Sequence, residues 1–156
     1  MTKGKKLAVG LGILVFLLAI VAIIFLINYH PRSHVSFVVD GTNFSAEVID
    51  GGEMILTVPS NPTTGYSWVI TKRANNFASD YNNYYSDDNS EGLVGVGGNT
   101  EFHIVALKEG EDTMTFQYKQ DWEGGSVDST YDLTLNISRQ HKKYLQIEDV
   151  VFEKVG

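Results

Sequence analysis

Tyr131-Asp132-Leu133-Thr134-Leu135-Asn136-Ile137-Ser138 alternates apolar and polar residues over eight positions, the period-two pattern of a strand with one face in a core and the other in water. Just upstream, Met114, Phe116 and Tyr118 alternate with Thr115 and Gln117 in the same way. Weaker versions run from Val35 to Val39, Phe44 to Val48, Met54 to Val58, Tyr66 to Ile70 and Phe102 to Leu107. Between them stand Asp40-Gly41, Gly51-Gly52 and Glu109-Gly110-Glu111, which are turn signals. No helical stripe appears after residue 27. Seven or more short strands between residues 34 and 138 predict an all-β fold, an immunoglobulin-like β-sandwich, with a small barrel as the alternative. The chain has no cysteine, so this sandwich carries no disulfide.

Two stretches depart from the pattern. Ala74 to Gly92 is rich in Asn, Asp, Ser and Tyr and reads as a long surface excursion containing one strand around Tyr84 and Tyr85. Residues 139–156 form a C-terminal tail with strand-like Tyr144 to Ile147 and Val150 to Phe152. That tail either adds an edge strand or is a polar extension with an apolar patch.

The first 27 residues have a different character. Leu7 to Ile27 holds no charge and nothing more polar than Gly10 and Gly12, and as a helix its 21 residues would reach ~31 Å at ~1.5 Å per residue, enough to cross a bilayer. Lys3, Lys5 and Lys6 precede it, so the positive-inside bias predicts a single-pass protein: residues 1–6 cytoplasmic, 7–27 a transmembrane signal anchor, 28–33 a short linker, and the remainder outside. A cleaved signal peptide is the rival reading, but the run is longer than the usual apolar core and no small-x-small pair follows it. Without residues 1–27 and their three lysines the net charge moves from -7 to -10, that of an acidic soluble domain expected to remain monomeric. Asn43 and Asn136 both stand in sequon form, a triplet common by chance.

Composition removes several functions. Twelve basic residues against nineteen acidic ones give no positive face for nucleic acid. Absence of thiols excludes a Cys-ligated metal and a cysteine nucleophile. His30, His34, His103 and His141 have no metal-ligand spacing and form no Ser/His/Asp set. Asp87-Asp88-Asn89-Ser90-Glu91 is acidic but lacks the spacing and central Gly of a calcium loop. Nothing calls for a cofactor or a metal.

Three loops say more. Asn61-Pro62-Thr63-Thr64-Gly65-Tyr66 joins two strands, with Pro62 fixing φ and Gly65 permitting a positive one, so it should be stiff. Gly95-Val96-Gly97-Gly98 precedes the strand near Phe102, and its glycines allow backbone to approach another surface. Gln120-Asp121-Trp122-Glu123 follows Tyr118 and holds a large aromatic in a loop, the commonest interface anchor. If strands alternate in direction and Ala74 to Gly92 supplies one of them, all three loops fall at one end of the sandwich. The first strand then starts at the other end. A three-loop edge on a rigid sandwich is the architecture of a binding protein.

In order and spacing these loops resemble those of the chagasin-type inhibitors of papain-family cysteine peptidases, over residues 34 to 138. The family's Asn-Pro-Thr-Thr-Gly-Tyr/Phe loop with a Trp two residues on is intact from Asn61 to Tyr66 with Trp68, and its Gly-x-Gly-Gly loop at Gly95, Gly97 and Gly98. Of its Tyr-x-Arg-Pro-Trp loop, Tyr118 and Trp122 are kept, while Gln120 replaces Arg and Asp121 replaces Pro. The resemblance implies a reversible, non-covalent inhibitor and not an enzyme. Thr63 and Thr64 would enter the middle of the cleft, with the glycine loop and the Trp122 loop gripping either side. Gln120 forfeits a cation and Asp121 a rigid ring, which implies weaker or altered specificity. A membrane-anchored binding or adhesion domain built on the same sandwich is the alternative. A hydrolase is the least supported, since the loops hold no nucleophile, base and orienter together.

Overall fold

The computed structural model describes residues 15–24, 26, 33–39, 41–87, 95–140 and 144–156. The chain divides into two units, Met1–Pro31 and Arg32–Gly156. In the first, residues 15–24 are helical and carry exposed apolar side chains such as Phe16 and Val21. Among the described residues no helix is long and apolar enough to cross a membrane. Apart from Leu26, the rest of the 7–27 run, like the lysines before it, lies outside the described residues.

Among the described residues the second unit is an all-β sandwich of nine strands: β1 (Ser33–Val39), β2 (Thr42–Asp50), β3 (Glu53–Ser60), β4 (Tyr66–Lys72), β5 (Phe77–Ser86), β6 (Gly98–Ala106), β7 (Gly110–Gln120), β8 (Val127–Gln140) and β9 (Tyr144–Lys154). One sheet has the order β1-β2-β3-β6-β5 and the other β4-β7-β8-β9, all pairings being antiparallel. Alternation in the sequence becomes alternation in burial: Met54, Leu56 and Val58 of β3 face Leu133, Leu135 and Ile137 of β8 from within the core, each strand keeping its polar residues outward. Phe102 of one sheet meets Phe116 of the other edge-on at 5.0 Å between ring centres, and both are almost fully buried.

Both irregular stretches join the sheets. The excursion after Ala74 supplies β5, which begins with the fully buried Phe77 and edges the first sheet. The tail is an edge strand: β8 runs on to Gln140, and β9 pairs with it from Gln140 opposite Tyr144 to Tyr131 opposite Lys154. Ile147 and Phe152, five positions apart, would point to opposite faces of a regular strand. Between them the register slips, since Ile147 pairs with Ile137 and Asp149 with Asn136. Glu148 is the extra residue of that bulge, and both side chains thereby reach the core. The Glu148 carboxylate accepts hydrogen bonds from Ser138 and Gln140, which hold its pKa below the usual carboxylate value.

Asp112 ties the β4–β5 connection to β7. Its Oδ2 accepts from the backbone N–H of Asn75 at 2.6 Å and of Asn76 at 3.1 Å, while Oδ1 accepts from Thr113 N–H. These bonds, with that of Asn75 foremost, hold the carboxyl below its ordinary pKa. A lowered folded-state pKa means stability that is complete above the unfolded value of ~3.9 and is lost as pH falls through the folded one. Asp112→Ala should therefore cost about 1–2 kcal/mol at pH 7, with the gap from the parent protein narrowing below about pH 4. Urea unfolding at pH 7 and pH 3 reads the difference directly.

Candidate functional site

The loop between β3 and β4 is built around one side chain. Asn61 caps a single 3-10 turn, Pro62–Thr64. Its Oδ1 accepts from the Thr63 N–H at 3.2 Å and the Thr63 hydroxyl at 2.5 Å, and its carbonyl accepts from the Thr64 N–H and hydroxyl at 3.1 and 2.6 Å. Outward from the loop, Asn61 Nδ2 donates to the Gly95 carbonyl at 3.2 Å and the Asn61 N–H donates to the Tyr118 hydroxyl at 3.0 Å. Gly65 closes the turn at φ 80°, donating to the Pro62 carbonyl. Pro62, Thr63 and Thr64 are left exposed at the tip. The two threonine hydroxyls are spent within the loop, that of Thr63 on the Asn61 side chain and that of Thr64 on the Asn61 carbonyl, so the tip is preset.

The other two loops are fastened to this one. Ser60 pairs with Gly98 in the first sheet and Tyr66 with Gln120 in the second, so the three loops stand at one end of the sandwich, as the strand parity predicts. The start of β1 lies at the other end, Ser33 pairing with Val48 and Val39 with Thr42. In the second loop, Gly97 accepts from the Asp87 N–H at 2.9 Å, and Gly95 and Val96 complete the strip beside Thr63. Residues 88–94, including most of the acidic run, lie outside the described residues.

Trp122 is more than half exposed, at 56%, and its ring lies over Gly65: a Cβ there would stand 2.7 Å from Trp122 Cη2. Gln120 Oε1 accepts from the Ser126 N–H and hydroxyl at 3.3 and 3.2 Å, and Ser126 in turn meets the Tyr66 hydroxyl at 2.6 Å. Lys119 forms an ion pair with Asp121 at 3.1 Å, with Glu123 exposed beside them. Gln120 thus holds the neck of its loop through hydrogen bonds that need no positive charge. Ser126 was not legible as part of the site, because a lone Ser after two glycines carries no signal of its own. Gly65→Ala should lower stability by about 1–3 kcal/mol through the positive φ and the collision with Trp122, with a matching change in tryptophan fluorescence as that ring is displaced.

Trp68, although part of the same sequence motif, is not a contact residue of this edge. Its Nε1 donates to the Pro59 carbonyl at 2.8 Å and its ring packs on Tyr118 and Tyr131 at 5.1 and 5.5 Å. It supports the loop from below. His34 and His103 stand apart from the edge as well. His103 Nδ1 lies 2.6 Å from Asp80 and Nε2 3.4 Å from Glu53, a cross-strand clamp on the outer face of the first sheet. His34 meets the Ser36 hydroxyl at 3.3 Å, and His30 and His141 fall outside the described residues. Among the described residues no group of three His, Asp or Glu side chains could hold a metal ion.

Amoebiasin-1 of Entamoeba histolytica is 29% identical over 63% of this chain and 94% of its own length, and chagasin of Trypanosoma cruzi is 34% identical over 50% of this chain and 74% of its own. Among solved structures, the cysteine protease inhibitor EhICP2 from Entamoeba histolytica aligns with a TM-score of 0.36 at 20% identity, covering 64% of this chain and 73% of that one. Residues 47–137 match the chagasin family peptidase inhibitor I42, a stretch that contains all three loops and more than half of the chain. The protein belongs to the chagasin family of peptidase inhibitors and is not an enzyme.

Proposed function

We propose that the three-loop edge inhibits papain-family cysteine peptidases by seating Pro62, Thr63 and Thr64 over the catalytic cysteine, with Gly95 to Gly98 on one wall of the cleft and Gln120 to Glu123 on the other. The observation that carries this reading is the cross-bracing through Asn61, which bonds its own loop, the glycine loop and β7 at once. A rigid edge loses little conformational entropy on burial, so more of the contact energy of a protease–inhibitor interface, typically ~1,600 Å², survives as affinity. No covalent step is involved. Membership of the family supports the same target class, and the nine-stranded sandwich is read as immunoglobulin-like on the same grounds.

The test is inhibition of papain and of a cathepsin-L-like peptidase by the full-length chain in mild detergent, with chymotrypsin as control. Dose-dependent inhibition of the two cysteine peptidases alone, relieved by dilution, is the expected result. A folded chain that leaves both untouched at high micromolar concentration would overturn the assignment.

Residues 7–27 are proposed to tether this inhibitor to a membrane with the sandwich outside. The uncharged run, the lysines before it and the exposed apolar side chains of the helical residues 15–24 support the reading. Tethering would raise the local concentration of inhibitor against proteases at the same surface. Recovery of the protein in the soluble fraction, with residues 1–27 removed, would refute it.

A further inference from the structure

β5 edges the first sheet directly beside the glycine loop: Ser86 pairs with Gly98, Tyr85 with Asn99 and Tyr84 with Thr100. At ~3.3 Å per residue, the two tyrosines stand within ~7 Å of the loop edge. Both are exposed, Tyr84 at 41% and Tyr85 at 52%. A Cβ at Gly98 would run into the Tyr85 carbonyl and would stand 2.9 Å from the Tyr84 hydroxyl. The absence of a side chain at Gly98 is therefore what lets β5 close on β6 and brings the tip of Tyr84 over the glycine, as Trp122 lies over Gly65 on the other flank. Two partly exposed aromatics thus flank the edge, Tyr84 on β5 and Trp122 in the loop between β7 and β8, each seated on a glycine. Around Tyr84 the strand reads Asn82-Asn83-Tyr84-Tyr85-Ser86, the Tyr, Asn and Ser mixture that gives binding surfaces rigid contact area and adaptable hydrogen bonds.

We propose that Tyr84 is a second anchor for the target protease, contacting the protease surface just outside the cleft on the side of the glycine loop, with Tyr85, on the opposite face of the strand, making a lesser contact. The proposal rests on the reading that the three loops enter that cleft. A partner seated on Gly95 to Gly98 is already within reach of the neighbouring strand, so the surface is continuous with the inhibitory edge. Tyr81, exposed at 50% on the same strand, pairs with His103, five positions from Gly98 and so ~17 Å from the edge. It lies beyond the contact and serves as the internal control.

The experiment measures the inhibition constant of the full-length chain in mild detergent against papain and a cathepsin-L-like peptidase, for the parent protein and for Tyr84→Ala, Tyr85→Ala and Tyr81→Ala, together with thermal midpoints and mass by light scattering. Tyr84→Ala should weaken inhibition ten- to a hundredfold and Tyr85→Ala several-fold, with Tyr81→Ala unchanged and all midpoints close to the parent's. A parent that inhibits while Tyr84→Ala and Tyr85→Ala inhibit equally well overturns the second anchor and leaves the three-loop reading standing. Equal weakening by Tyr81→Ala, or weakening that follows a fall in thermal midpoint, overturns it too, since the effect is then one of strand integrity. A parent dimer that these substitutions dissociate assigns the strand to a second copy of the chain instead. A parent that inhibits neither peptidase defeats both readings together.

Discussion

Trp122→Ala should weaken inhibition of a papain-family peptidase by about 30- to 700-fold, the equivalent of about 2–4 kcal/mol for the loss of a central aromatic anchor. Two losses combine. The exposed face of the indole no longer buries against the partner, and the face that covers Gly65 no longer supports the closing residue of the Thr63–Thr64 tip. Folding should hardly register the change, because the side chain is 56% exposed and lies outside the buried core. Trp122→Phe, which keeps a planar apolar group on Gly65, should recover part of the loss. The check is an inhibition constant from progress curves, paired with a thermal midpoint. An unchanged constant would remove Trp122 from the interface.

The loop edge was legible because its parts have strong local signatures and because parity is a counting argument. Pro62 and Gly65 announce a preset turn, and antiparallel pairing then fixes which loops share an end. What the sequence did not expose is how the loops are joined. The bond from the Asn61 N–H to the Tyr118 hydroxyl spans 57 positions, and no local pattern encodes a partner at that distance. Gln120 shows the same limit: as a departure from the family's Arg it reads as a missing charge, yet its amide oxygen holds Ser126 and the loop neck. β5 was legible only as a strand around Tyr84 and Tyr85, and its start at Phe77 was obscured for a different reason. Its one core residue, Phe77, precedes nine residues that stay partly or fully exposed at the open edge of the sheet, and a strand buried at one end only has no alternation to detect.

The tail is the plainest case of a pattern disguised by geometry, and it carries the largest expected effect on stability. With Ile147 and Phe152 five positions apart, period-two reasoning puts one of them in water, and only the bulge at Glu148 reconciles them. The result lies beyond the 47–137 stretch that matches the family. Even so, Phe152 packs on Phe44 at 5.0 Å, lies parallel to Tyr131 at 5.2 Å with the ring planes 4° apart, and reaches Phe37 of β1 at 6.2 Å. Its ring therefore joins the first two strands of one sheet to the last two of the other. At the far end of β9, the Ile147 N–H donates to the Gly51 carbonyl at 2.7 Å, adding a polar stitch across the same seam. Phe152→Ala should cost about 3–5 kcal/mol, the range for emptying a buried phenylalanine site, which is a large share of the 5–15 kcal/mol typical of a whole domain. Urea denaturation of the full-length chain measures it. Inhibition at a temperature where the variant remains folded should be unchanged, because Phe152 pairs with Leu133 in the middle of β8, away from the loop edge. A loss below 1 kcal/mol would mean that the core closes without β9, and the strand would then be an addition to a sandwich already complete at residue 137.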